Sequence, residues 1–271
     1  MPRHALWLLV ATTSPLPAPV RGFCGYTCRQ EQKEALAVAV REARSNYSVY
    51  EKRQLAKTDR LSSGGITYMQ WVQRLEIERV VAYVRNHLPI QTRFALAHGV
   101  RSGREVLWFR DLLPEVQTWG TELSWLAASQ AAWTIHHDFN VVRPEWIGSA
   151  DFIYSNSLDH AFNVSKTLDV WGSQSTDSGA VMVHWSHEHE SSETGETAVD
   201  LHRLNASELA KAIDSAGLKI VGNIRISGME PAQDTASQQR GEGTDRDDRR
   251  VLILRRKGLA SPLRLRRFSR V

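Results

Sequence analysis

The chain has 271 residues, 42% hydrophobic and 24% charged, with a formal net charge of +4. That is enough for a sizeable core and too apolar for a disordered chain. Two cysteines, Cys24 and Cys28, exclude a disulfide framework, and a lone C-x3-C without histidine partners is a poor zinc signature. The positive charge is local. Nine of the 34 basic residues stand from Arg249 onward with no acid among them, leaving 25 basic against 30 acidic elsewhere, near −5.

Residues 1–30 read as a leader. Arg3 and His4 precede a short apolar run from Ala5 to Ala11, with Arg21 following and no acid before Glu31, a composition that suits an organelle transit peptide or an unstructured leader. The run is far too short to span a bilayer, and no later stretch approaches that length, so a soluble, intracellular protein is expected. Residues 31–89 form a helical lead-in. A helix is expected from Glu31 to about Arg44, then a polar stretch with Tyr47 and Tyr50, then "LSSGGI", whose paired glycines break regularity. From Tyr68 to Leu88 the positions Trp71, Val72, Leu75, Val80, Val81, Val84 and Leu88 recur at helical spacing, ended by Pro89.

After Pro89 strands alternate with helices. Strands are predicted at Arg93–Ala97, Val116–Gly120, Trp133–His136, Asp151–Tyr154, Ala180–Trp185, Lys219–Ile226 and Arg250–Arg256. Helices are predicted at Ser102–Leu113, Ser124–Ala132, Leu158–Gln174 and Ala206–Ala216. Such alternation means an α/β, Rossmann-like doubly wound sheet of about seven strands, with N-terminal helices ahead of it, over residues 90–258. Residues 228–248 carry almost no large apolar side chain and are expected to make a mobile excursion. Residues 259–271 form a basic tail, a candidate contact for nucleic acid or an anionic surface.

In a doubly wound sheet, ligands bind beyond the carboxyl ends of the strands where strand order reverses. The first strand of the series runs into "AHGVRSGRE", which places the loop His98–Gly103 at that crevice. Gly99 lets the backbone turn sharply and be approached closely. Ser102 and Glu105 have capping-box spacing. Only Gly99 and Gly103 are present, so the G-x-G-x-x-G dinucleotide fingerprint is absent, and no Lys-Ser/Thr follows to make a phosphate loop. The ligand need carry no pyrophosphate.

Glu122, just past the second strand, is a carboxylate able to accept two hydrogen bonds from vicinal ribose hydroxyls, or simply a first-turn glutamate favoured by a helix dipole. After the third strand comes "HHDFN", where Asp138 can accept the exocyclic amine of adenine with Phe139 beside the ring, or serve as an ordinary loop acid and core aromatic. The fourth strand ends in "YSNSLDH", which puts Ser155 and its polar neighbours across the crevice from Gly99. This order suits a nucleoside without phosphates.

With "AHGVRSGRE", "GTELS", "HHDFN", "DFIYSNSLDHA" and "NASELAKAIDSAGLKIV" together, the chain from Phe94 to Lys257 resembles a class I S-adenosylmethionine-dependent methyltransferase. It is most similar to a subgroup with H-G-x-R-x-G-x-E and Y-S-N-S-x-D-H motifs. The resemblance implies a seven-stranded sheet whose last two strands form an antiparallel hairpin, with S-adenosylmethionine as cofactor. By position it implies that His98 and Gly99 border the methionine portion, Glu122 holds the ribose, Asp138 the adenine amine, Phe139 flanks the ring, and Ser155 approaches the methionine end. Most of the superfamily has an acid at the end of the first strand; Ala97 and His98 stand there instead.

Methyl transfer draws its reactivity from the cofactor, so the protein contributes mainly alignment. A hydroxyl or amine acceptor would gain from a base, and Asp159 and His160 are the candidates, or else a helix cap and its neighbour. In "VHWSHEHE", His184, His187 and His189 lack the spacing of a zinc site, and no metal is assigned. The expected activity is methyl transfer to a small molecule. The alternatives are a methyltransferase-shaped interaction module that binds cofactor weakly, and a nicotinamide-dependent oxidoreductase, which the missing third glycine argues against.

Overall fold

The computed structural model describes residues 42–62, 71–186, 205–226 and 249–258. The leader with its cysteines, most of the helix expected from Glu31, the "LSSGGI" glycines, His187, His189, the 228–248 excursion and the 259–271 tail lie outside these residues.

Seven strands form one sheet: β1 (Phe94–His98), β2 (Gln117–Glu122), β3 (Thr134–His136), β4 (Ala150–Ser155), β5 (Ser175–Trp185), β6 (Leu218–Arg225) and β7 (Arg250–Arg256), in the order β3-β2-β1-β4-β5-β7-β6. The first five pair in parallel, and β7 lies antiparallel between β5 and β6. The terminal hairpin implied by the resemblance is present. The order reverses between β1 and β4, so the crevice lies where His98 and Ser155 stand side by side.

The helices are α1 (Tyr47–Ser62), α2 (Arg74–His87), α3 (Arg104–Leu112), α4 (Trp125–Gln130), α5 (Val164–Gln174) and α6 (Ala206–Ser215). Alternation along each strand assigns its side chains to one of two cores. Ala95 and Ala97 of β1, with Phe152 and Tyr154 of β4, meet Val80, Val84 and Phe109 of α2 and α3. Leu96 and Ile153 face the other way, to Leu168 and Trp171 of α5 and Leu209 and Ile213 of α6. A fully buried side chain of this size contributes about 1.5–3 kcal/mol, so the two apolar faces dominate stability. Among the described residues no helix is long and apolar enough to cross a membrane.

Four expectations change. The polar stretch at Tyr47 is helix α1, its buried stripe made of Tyr50, Gln54 and Thr58 rather than aliphatic residues. The helix expected from Tyr68 begins at Arg74, and Trp71 and Leu75, placed in its apolar stripe, are 55% and 49% exposed. The helix expected from Ser102 begins at Arg104: Gly103, at φ +70°, is the N-cap residue, and a Cβ there would meet Ala131 Cβ at 2.9 Å. The helix expected over Leu158–Gln174 is broken into a single 3₁₀ turn at Leu158–His160 and α5, because Ala161 turns extended and Asn163 restarts the helix by accepting from Lys166 N–H at 3.0 Å.

Candidate functional site

At the β1–β4 seam the chain fills its own crevice. Gly99 has φ +70°, the left-handed region that glycine adopts without strain. A Cβ on it would lie 2.7 Å from Ser157 Cβ, 2.8 Å from Ser157 Oγ and 3.2 Å from Phe139 Cε1. Its N–H donates to Thr121 O at 2.9 Å and its carbonyl accepts from Ser157 Oγ at 3.0 Å. Ser155 Oγ donates to His98 O at 3.0 Å and accepts from Ser157 N–H at 3.1 Å. The bare backbone at Gly99 therefore lets β1 and β4 close on each other through two serines.

The His98 ring is buried, stacked on Trp171 at 5.2 Å, with Nδ1 2.9 Å from Thr121 Oγ1 and Nε2 2.9 Å from Gln174 Oε1. Gln174 Oε1 can only accept, so Nε2 carries the proton and Nδ1 accepts from Thr121. Burial pushes its pKa down to about 3, which keeps it neutral at physiological pH. Both ring nitrogens are committed to the protein, so this side chain serves packing and offers a ligand no free nitrogen. Phe139 is likewise buried, edge-on to Trp171 at 5.6 Å, and reaches the crevice only by its rim against Gly99.

The ends of β2 and β3 are finished differently. Glu122 is 6% exposed. Its Oε2 accepts from Arg101 N–H at 2.8 Å and its Oε1 from Ser124 N–H at 3.2 Å. Arg101 adopts φ +38° to bring that amide round. Two backbone donors hold the carboxylate rigidly, and a carboxylate with about four lone-pair positions keeps room for two further donors. Asp138 Oδ1 accepts from Asn140 N–H at 2.8 Å and from Asn140 Nδ2 at 2.6 Å, and Oδ2 accepts from the Tyr47 hydroxyl. Burial and the Asp138 bond both push the Tyr47 phenol well above its ordinary pKa.

Asn140, the last residue of "HHDFN", ties this corner together. Its Nδ2 also donates to Tyr50 Oη at 3.0 Å, and its Oδ1 accepts from Phe162 N–H at 2.9 Å and Thr167 Oγ1 at 2.7 Å. Tyr47, Tyr50 and Phe162 pack together with ring centroids 5.3–5.6 Å apart. At the other end of α1, Asp59 accepts from Ser124 Oγ at 2.6 Å, the serine whose N–H holds Glu122. α1 thus lies along the carboxyl edge, from the Asp138 corner to the Glu122 corner. Sequence reasoning missed it because its buried face is polar and aromatic, without the aliphatic period that marks a core helix.

Asp159 sits in the 3₁₀ turn after β4, buried, with Oδ1 lacking a hydrogen-bond partner. His160 is half-buried beside it. His184, at the end of β5, joins a separate cluster: Glu76 Oε1 pairs with Arg249 Nη1 at 2.9 Å, and Glu76 Oε2 lies 3.8 Å from His184 Nε2. Burial raises the Glu76 pKa, with Arg249 opposing. Among the described residues no three histidine, cysteine or acidic side chains are grouped to hold a metal ion.

Neither a protein-family model nor a curated protein sequence matches the chain. Solved structures match its fold. A Haloferax volcanii methyltransferase chain, solved with the Trm112 methyltransferase activator, superposes with a TM-score of 0.55 at 16% identity, covering 73% of this chain and 96% of that one. Geranyl diphosphate C-methyltransferase from Streptomyces coelicolor, in complex with Mg2+, geranyl diphosphate and S-adenosyl-L-homocysteine, gives 0.54 at 9% identity over 76% and 97%. The plantazolicin methyltransferase BpumL, in complex with S-adenosylhomocysteine, gives 0.53 at 16% identity over 84% and 98%. At these identities the likeness shows the fold: the chain has the class I methyltransferase architecture.

Proposed function

We propose that the chain is an S-adenosylmethionine-dependent methyltransferase acting on a small-molecule acceptor. The observation that carries this is Glu122: a buried carboxylate at the end of β2, braced by two backbone amides and with acceptor capacity to spare. An acid so placed suits the vicinal hydroxyls of a ribose, and a crevice with no pyrophosphate loop suits a nucleoside without phosphates. Two of the fold's structural neighbours carry S-adenosylhomocysteine, one a C-methyltransferase of geranyl diphosphate and the other the plantazolicin methyltransferase.

Glu122 would hold the ribose and Asp138 the adenine amine, with the Gly99 turn and Ser155 fixing the closed ends of β1 and β4 beside which the methionine portion would lie. The cofactor supplies an activated methyl group on a sulfonium. The chain's own residues bind, align and exclude water. Asp159, whose Oδ1 lacks a partner, would accept a hydrogen bond from the acceptor's hydroxyl or amine and take its proton, with His160 adjacent.

One observation favours a second reading. Tyr47 already satisfies Asp138, and Ser157 packs against Gly99, which is what a methyltransferase-shaped interaction module would show. Calorimetric titration with S-adenosylmethionine, S-adenosylhomocysteine and NAD separates them. Saturable binding of both adenosyl-sulfur compounds without NAD binding is expected. Binding of NAD alone contradicts the methyltransferase assignment, and binding of none supports the interaction module.

A further inference from the structure

We propose that Gln54 of α1 is a cofactor ligand, its side-chain amide donating a hydrogen bond to the adenosyl group between the two acids. The proposal rests on the methyltransferase reading and adds to it a residue from outside the sheet.

The argument starts from burial. Gln54 is 7% exposed, and its Nε2 has no hydrogen-bond partner. A buried amide donor left unmade costs about 1–3 kcal/mol, which is why nearly all such groups are paired. On the same helix its neighbours are paired: Tyr47 with Asp138, Tyr50 with Asn140, Asp59 with Ser124. These contacts fix where α1 runs. Its first turn stands over the Asp138 corner and its last over Ser124, the serine that braces Glu122.

Gln54 stands between those anchors. Seven residues separate it from Tyr47, two helical turns or about 10.5 Å along the axis on nearly the same face. Five residues separate it from Asp59. The Tyr50 phenol, one turn before Gln54, is near enough to Asp138 and Glu122 that both charges help hold its proton. The unpaired amide therefore lies over the strip between the ribose acid and the adenine acid. A ligand there presents acceptors to it, the ribose ring oxygen and the adenine ring nitrogens, and Glu122 and Asp138, as acceptors, cannot serve those atoms. Donors on one side and acceptors on the other would enclose an adenosyl group completely.

The test uses the full chain, Gln54→Met and Gln54→Leu, with S-adenosylhomocysteine as the probe. Methionine keeps the length and volume and removes the donor; leucine does so with a different shape. Each variant is expected to melt at the wild-type temperature or above it, since no bond in the free protein is lost. The dissociation constant is expected to rise about tenfold, the worth of one hydrogen bond. Variants that bind the probe within twofold of wild type overturn the assignment and leave the cofactor reading standing. Variants that melt several degrees lower also overturn it, since Gln54 would then be a structural residue. A wild type that binds no S-adenosylhomocysteine overturns both.

Discussion

At the β1–β4 seam, Gly99, Ser155 and Ser157 satisfy one another and the His98 carbonyl, and the His98 ring spends both nitrogens on Thr121 and Gln174. Around the ends of β2 and β3, two buried or half-buried acids are held by backbone amides, a neighbouring asparagine and a covering helix, and the one unpaired buried amide on that helix lies between them. The seam is packed as core, its side chains fitted against the Gly99 backbone, although Gln174 Nε2 behind His98 is also buried without a hydrogen-bond partner. On the flank Glu122 keeps acceptor capacity and Gln54 Nε2 is an unpaired donor, which the proposed cofactor would use. Neighbouring strand ends are thus finished differently, and position at a carboxyl edge does not by itself mark a ligand contact.

The seam should be the fragile half. His98 binds its proton only near pH 3, against an ordinary value of 6.5, so the folded chain stays unprotonated where the unfolded chain takes up a proton. The stability this gives is complete above pH 6.5 and is lost as pH falls toward 3, a loss of roughly 5 kcal/mol at one proton across that window. Urea unfolding at stepped pH should show that slope in wild type and a slope smaller by about one proton in His98→Gln. Equal slopes would mean that the ring is hydrated.

Next in size is Gly99→Ala. The new Cβ would press on Ser157 and Phe139 and take a φ that alanine resists, for a combined cost of about 2–4 kcal/mol. Chemical denaturation checks this, and a cost below 1 kcal/mol would show that β4 yields easily.

The smallest effect falls on the flank. Tyr47→Phe removes the hydroxyl that occupies Asp138 Oδ2, freeing it for an adenine amine. S-adenosylhomocysteine should bind about two- to fivefold more tightly to this variant, the scale of one exposed competing hydrogen bond. Weaker binding would mean that Tyr47 contributes to holding the ligand instead of competing with it.

How much of this could be read in advance follows the same division. The seven strands were legible because short aliphatic and aromatic runs report burial directly, as in "ADFIYS" of β4, and the terminal hairpin was implied by the family resemblance. Glu122 and Asp138 were legible as acids placed just beyond strands. The role of Gly99 was half legible: the turn was expected, the serine packed against it was not, since Ser157 lies 58 residues away. Within the helical lead-in, α1 was read as a polar stretch and not as a helix. Its stripe of Tyr47, Tyr50, Gln54 and Thr58 carries no aliphatic signal, and the reason for that stripe, the acids beneath it, is a tertiary fact.

The most direct test is a crystal structure of the chain with S-adenosylhomocysteine. The account predicts the adenosyl group across the ends of β2 and β3, with both ribose hydroxyls within hydrogen-bond distance of the Glu122 carboxylate while Arg101 and Ser124 keep their amides on it. Density for the nucleoside elsewhere, or a Glu122 that touches only its two backbone donors, would contradict it.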